Sequence, residues 1–247
     1  MDTSPNKVSK QAVKAFWNRG ASGERYGDEQ DRLRYELEPE IIPFADFGSS
    51  SGRRLLEIGL GMGSDFIRFV RAGAVATGID LTERAVAITG RRLAAENLIA
   101  DVQVADAENL PFQDASFDIV YSWGVLHHTM DTAKAVDEAH RVLAPGGQLK
   151  LMLYHRHSWL ALAAWIRFGL LRGRPLTDLT EAVARVESPG TQAFIPSEVR
   201  TMLRDLEDVS VVPALTVWDR KFFPGISRLL GDRFGWFLLI RARKKAR

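Results

Sequence analysis

An α/β fold built on a mostly parallel sheet is predicted by three features of this chain. The apolar run Leu55-Leu56-Glu57-Ile58 carries an acid at its end and leads straight into alternating glycines at Gly59, Gly61 and Gly63. Two later apolar runs, 75–80 and 102–107, also carry an acid near the carboxyl end, at Asp80 and Asp106. Helix-period segments near 64–72, 82–96 and 132–143 separate the strands, which is the alternation that parallel sheets require.

The first strand and its glycine loop are the most telling element. Glycines at a strand-to-helix turn adopt positive φ and leave the main chain bare, so a flat adenosine-type ligand can lie against it. The dinucleotide fingerprint is G-x-G-x-x-G, whereas this chain has G-x-G-x-G, and Glu57 would repel a pyrophosphate. Both points argue against NAD. A ligand with a cationic amino group and a sulfonium in place of phosphates would welcome that carboxylate, which points to S-adenosylmethionine.

Asp80 lies about 20 residues beyond the first glycine, where an acid that accepts from ribose hydroxyls belongs. Asp106 is placed to accept from an adenine amine. Ligands of open parallel sheets bind beyond the carboxyl ends of the strands, so Glu57, Asp80 and Asp106 should converge on one crevice. Each acid taken alone equally suits a helix cap or a turn. The ordered series of three, with the glycine loop after the first, sets them apart.

The pattern continues through Leu110-Pro111-Phe112-Gln113-Asp114-Ala115-Ser116-Phe117-Asp118-Ile119-Val120-Tyr121-Ser122, then Trp123-Gly124-Val125-Leu126-His127-His128, and ends in Arg141-Val142-Leu143-Ala144-Pro145-Gly146-Gly147. Over residues 50 to 155 the chain resembles the class I S-adenosylmethionine-dependent methyltransferases. Within them it is similar to the broad group of ubiquinone and menaquinone biosynthesis methyltransferases with a type 11 methyltransferase domain. The resemblance implies a Rossmann-like, seven-stranded, mostly parallel sheet with helices on both faces, in a single domain 1–247. It would comprise a helical cap at 1–46, a cofactor-binding core at 47–154, a helical lid inserted after the fifth strand at 155–205, and C-terminal strands at 206–247. It gives the methionine end of the cofactor to Gly59, Gly61 and Gly63, ribose to Asp80, and adenine to Asp106 and Ala107. Glu57, Leu60, Leu81 and Trp123 complete the expected cofactor contacts.

Within that frame the cap is expected to anchor through Phe16, Trp17, Tyr26, Tyr35 and Phe44. Pro145-Gly146-Gly147 should stop the helix before a fifth strand at 148–154, and segments 209–212 and 235–243 should form the closing antiparallel hairpin. The lid opens with Trp159-Leu160-Ala161-Leu162-Ala163-Ala164-Trp165-Ile166, apolar on nearly all sides, followed by Arg167, Arg172 and Arg174. A buried lid helix or a homodimer helix is expected ahead of one lying on a membrane surface.

Methyl transfer from a sulfonium is an in-line displacement, so the protein chiefly aligns the reactants, and a base is needed only where the nucleophile carries a proton. His127, His128, His155 and His157 follow the fourth and fifth strands, and an imidazole with an ordinary pKa of about 6.5 suits proton removal. His127 and His128 are the candidate catalytic bases, against the alternative that they only fix the loop. Tyr26, Tyr154 and His155 are candidates for the substrate pocket, against ordinary aromatic packing. No metal is expected, because no helical histidine pair or carboxylate set accompanies these residues. Gly124 and His127 stand where catechol-quinone members of the group carry acids, which weakens metal-assisted chemistry. The Asn/Asp-Pro-Pro-aromatic motif of nucleic-acid amino methyltransferases is absent.

The formal net charge of the 247 residues is +2, and the tail residues Arg241, Arg243, Lys244, Lys245 and Arg247 supply five positive charges, which leaves the body slightly acidic. Nucleic acid is therefore not an expected partner. The absence of cysteine excludes disulfides and thiolate-bound zinc and suits a reducing cytoplasm. Residues 1–7 lack the apolar core of a signal peptide, and no apolar run reaches the roughly 20 residues of a membrane span. The expectation is a cytoplasmic enzyme transferring methyl to an O, N or S nucleophile of a small molecule. The alternatives are a lipid or quinone methyltransferase and a protein that binds the cofactor without turnover.

Overall fold

The computed structural model describes residues 8–246; the start at 1–7 and Arg247 of the basic tail lie outside them. Among the described residues, seven strands form one sheet: β1 (Arg54–Ile58), β2 (Val75–Asp80), β3 (Asp101–Val104), β4 (Phe117–Trp123), β5 (Leu143–Tyr154), β6 (Glu207–Ala214) and β7 (Phe237–Arg243). Their order is β3-β2-β1-β4-β5-β7-β6, with neighbours parallel through β5 and β7 antiparallel to both β5 and β6. The order reverses at β1, so the crevice between the carboxyl ends of β1 and β4 is where such a sheet takes a ligand.

The central strands are apolar on both faces because helices cover both. Leu55, Leu56, Ile119 and Val120 are fully buried. At the edge, β3 ends at Val104, earlier than the expected 102–107, and Asp106 stands beyond it in an isolated bridge with Asn109. In β5 the structure corrects a further expectation. Leu143 already pairs with Phe117, pairing resumes at Ile119 and Gln148, and Pro145-Gly146-Gly147 forms the irregularity between them. A proline cannot donate to the ladder, so the segment bulges within the strand instead of stopping the preceding helix.

The helices are α1 (Lys10–Arg19), α2 (Gln30–Leu37) and α3 (Ile41–Ala45) in the cap, α4 (Ser64–Arg71), α5 (Glu83–Ala95) and α6 (Thr132–Val142) between strands, α7 (Trp159–Phe168), α8 (Leu179–Ala184) and α9 (Pro196–Met202) after β5, and α10 (Val217–Phe222) and α11 (Pro224–Leu230) before β7. Side-chain oxygens start several of them: Thr82 accepts from the Ala85 amide, Asp131 from Lys134 and Ser158 from Ala161. The cap anchors chiefly through Tyr35 and Phe44, which are buried, while Phe16, Trp17 and Tyr26 are half-buried.

The stretch expected as lid divides in two. α7 and α8 pack on each other, with Ala161, Ala164, Ala182 and Val183 buried, whereas α9 seats Val199 and the following Leu203 in the main core. α7 is not buried all round, since Leu162 and Ile166 are each 39% exposed. The C-terminal block contains two helices besides its strands, and Thr216 with Asp219 closes a capping box that begins the first of them. No helix among the described residues is long and apolar enough to cross a membrane.

Candidate active site

A cavity opens at the carboxyl ends of β1, β2 and β4 and is walled on its outer side by α1 and the turn after it. Glu57 lines it from inside β1 at 3% exposure, and its Oε2 has no hydrogen-bond partner among the described residues. Burial pushes the Glu57 carboxyl well above the usual range, and the charges of Asp65 and Asp80 add to that while Arg34 opposes it. An acceptor buried without a donor is costly unless a ligand meets it.

Gly59 and Gly61 line the same cavity, both at positive φ. A Cβ on Gly59 would fall 2.1 Å from Cγ2 of Val125, so only glycine lets the loop lie against the end of β4. Leu60, Leu81, Ala107 and Trp123 also reach the wall. Asp80 accepts through Oδ2 from the Gly61 amide at 3.2 Å and through Oδ1 from the Thr82 amide and hydroxyl at 2.9 and 2.7 Å. Asp80 thus ties the glycine loop to the start of α5 while facing the cavity, and burial raises its pKa. Asp106 lines the far end, where Lys10 of α1 binds its Oδ2 at 2.5 Å and Glu108 at 2.9 Å.

Behind Glu57 lies a cluster that sequence reasoning missed. The Asp65 carboxylate, in the first turn of α4, accepts from Arg34 Nε and Nη2 at 2.9 and 2.6 Å, and from the hydroxyls of Tyr35 and Tyr121 at 3.0 and 2.9 Å. Burial alone would raise its pKa, but the Arg34 guanidinium and the hydroxyl donors outweigh burial and hold it low. Glu38, the residue that follows α2, accepts from Trp123 Nε1 at 2.8 Å. The cap helix is thereby fixed to β4 at the cavity wall. No local pattern in the sequence links positions so far apart.

The two candidate bases separate. His128 lines the cavity, edge-on to Trp17 with ring centroids 5.7 Å apart. Its Nδ1 stands 3.0 Å from Thr191 Oγ1 and 3.2 Å from Ser188 Oγ, on the turn that follows α8. His127 is fully buried behind it, with its ring 3.9 Å from that of Tyr154, and neither of its nitrogens has a hydrogen-bond partner among the described residues. Burial lowers both imidazoles, His127 well below the usual value and His128 to about 4.

Four expected site residues are elsewhere. Gly63 does not reach the cavity; a Cβ there would strike Thr89 Oγ1 at 2.6 Å, so its bareness serves the packing of α4 on α5. Tyr26 sits outside on the turn after α1, its hydroxyl accepting from Arg25 at 2.6 Å. Tyr154 is half-buried, with its hydroxyl on Glu187 and its ring stacked 4.3 Å from Trp236. His155 is buried, with Nδ1 3.0 Å from the Gly235 carbonyl.

Comparison with known proteins accords with this geometry. A methyltransferase domain model matches residues 56–151. The chain is 30% identical over 195 residues to a malonyl-(acyl-carrier protein) O-methyltransferase of Erwinia pyrifoliae, covering 78% of this chain and 70% of that protein. It is 41% identical over 104 residues to the 27-O-demethylrifamycin SV methyltransferase of Amycolatopsis mediterranei, but spans only 38% of that relative's length. A solved S-adenosylmethionine-dependent methyltransferase from Mesorhizobium loti shares the fold, with a TM-score of 0.58 at 23% identity over 79% of this chain and 92% of that one. The residues present fit the cofactor of such enzymes: Glu57 offers a buried free acceptor to a cationic end, bare glycine backbone lies beside it, and Asp80 and Asp106 stand beyond. The cavity at the reversal of the sheet and these likenesses agree that the chain belongs to the S-adenosylmethionine-dependent methyltransferases, in the methyltransferase-domain family.

Proposed function

We propose that the protein methylates an acidic hydroxyl, phenolic or enolic, of a small molecule, with His128 taking the proton. S-adenosylmethionine supplies a methyl group on sulfonium: the acceptor oxygen forms the new C–O bond, the C–S electron pair goes to sulfur, and the acceptor's proton goes to a base. His128 carries this reading because, of the two candidate histidines, it alone lies on the cavity wall. Burial keeps its ring neutral at ordinary pH and makes it a weak base, which suits an acceptor whose own proton is acidic. The names of both relatives above refer to an oxygen acceptor. Glu57, Gly59, Leu60 and Gly61 would hold the methionine end, Asp80 and Leu81 the ribose, and Asp106, Ala107 and Trp123 the base end.

Transfer of labelled methyl into a cell extract, separated into small-molecule, lipid, RNA and protein fractions, tests the reading. Label in the small-molecule fraction, lost in His128→Ala with cofactor affinity retained, is the expected result. Full turnover by His128→Ala removes the base. Label in the lipid fraction would favour a second reading, a lipid or quinone acceptor. That alternative draws on the lid, where Leu170, Leu171 and Leu176 are 49, 75 and 98% exposed beside Arg167, Arg172 and Arg174.

A further inference from the structure

We propose that Thr191, on the lid turn after α8, is a positioning residue that holds His128 with its proton on Nδ1 and its Nε2 bare. The inference rests on the reading of His128 as the base. A hydroxyl has one proton to give. The Thr191 hydroxyl gives it to the Ser188 carbonyl, 2.7 Å away. Toward the imidazole, Thr191 therefore offers only lone pairs. Its oxygen stands 3.0 Å from His128 Nδ1, a contact that is attractive only when Nδ1 carries the hydrogen. Ser188 Oγ, 3.2 Å from the same nitrogen, is a second acceptor, and its own proton can turn to Thr191 Oγ1 at 3.4 Å. A neutral ring protonated on Nδ1 leaves Nε2 free to accept, and which nitrogen is free is decided by the bond the other one makes.

The partner is a hydroxyl and not a carboxylate, so it sets the direction of the ring without supplying a charge to the imidazolium. That separates it from the Asp–His pair of hydrolases, where the acid does both. The turn bearing Thr191 is itself held in place. Gly190 has φ +84, and a Cβ there would lie 3.1 Å from Val13 of α1 and 3.5 Å from the His128 carbonyl. The Gln192 amide donates to the His127 carbonyl at 2.8 Å. Seating of the lid turn against α1 and the histidine loop is thus what brings the acceptor oxygen to Nδ1, and a turn that lifts away releases the ring to both tautomers.

Long-range proton–nitrogen correlation spectra of the 15N-labelled full-length protein report the tautomer directly, with no methyl acceptor needed. The expected result is an Nδ1–H ring for His128, a shift toward Nε2–H in Thr191→Val, and recovery in Thr191→Ser. The rate of label transfer into the responsive extract fraction should fall roughly tenfold or more in Thr191→Val, within the range a general base contributes, while affinity for S-adenosylmethionine stays unchanged. An Nε2–H ring in the unaltered protein overturns the proposal, as does a tautomer indifferent to Thr191→Val. Full turnover by His128→Ala alongside an Nδ1–H ring would remove the base and leave the tautomer assignment standing, so the two failures are told apart.

Discussion

Asp65→Asn should destabilise the fold more than any single change on the cavity floor. Asp65 is 2% exposed and receives four donors: two from Arg34, one from Tyr35 and one from Tyr121. Asparagine keeps one acceptor oxygen and turns an NH2 toward the donors, and Arg34 loses its close counter-charge, leaving Glu38 at 3.8 Å. Removing one member of a buried ion pair costs about 3–5 kcal/mol, because the charge that stays behind is desolvated and unpaired. For a chain of this length each kcal/mol shifts Tm by roughly 2–4 °C, so the melting point should fall by roughly 6–20 °C. Urea denaturation followed by circular dichroism reads the loss. A decrease under about 1 kcal/mol at constant m-value would refute the reasoning. Adding Arg34→Met should recover part of the loss, since it removes the buried charge that Asp65→Asn leaves without its close partner. Because the folded pKa of Asp65 is held below its ordinary value of 3.8, its contribution is complete above that value and is lost as pH falls through the folded pKa.

Three further outcomes are expected. Glu57 has a raised folded pKa, so its favourable contribution is complete below its ordinary value of 4.5 and fades as pH rises through the folded pKa; Glu57→Gln should therefore match the unaltered protein near pH 4 and exceed its Tm near pH 8, and equal melting points at both would contradict this. Asp80→Ala should weaken S-adenosylmethionine binding by about 1–3 kcal/mol in a calorimetric titration through lost charged hydrogen bonds, and unchanged affinity would remove Asp80 from the ribose site. With the His128 pKa lowered to about 4 by burial, kcat/KM should carry no inflection near pH 6.5 from this group; an inflection there that disappears in His128→Ala would show the imidazole is not desolvated.

The strands that end at Ile58, Asp80 and Trp123 are legible in the sequence because burial on both faces demands unbroken apolar runs, and because a glycine loop or an acid marks their ends. Glu57, Asp80 and Asp106 line one cavity for the same reason. What escapes a reading of the sequence depends on distance along the chain. Arg34 meets Asp65, and Thr191 meets His128, with |i−j| of 31 and 63. A threonine in a Ser-Pro-Gly-Thr turn looks like any other turn residue until the imidazole is beside it. Tyr154 and His155 depart from expectation because the last residue of a strand and the first beyond it can point to opposite sides of a sheet; here His155 is buried and Tyr154 stacks on Trp236. The helices α10 and α11 are hidden between two strand patterns, although the Thr216–Asp219 spacing carries a capping signal.

The ion pairs of Lys10 with Asp106 and Glu108 give the first helix a stake in what fills the cavity. A ligand amine that hydrogen-bonds Asp106 would share with an ammonium group a carboxylate that has lone pairs for both. Added salt screens the lysine and leaves a neutral amine's hydrogen bond nearly untouched. Rising ionic strength therefore weakens the tie that α1 makes to the cavity wall, through a charge half in solvent.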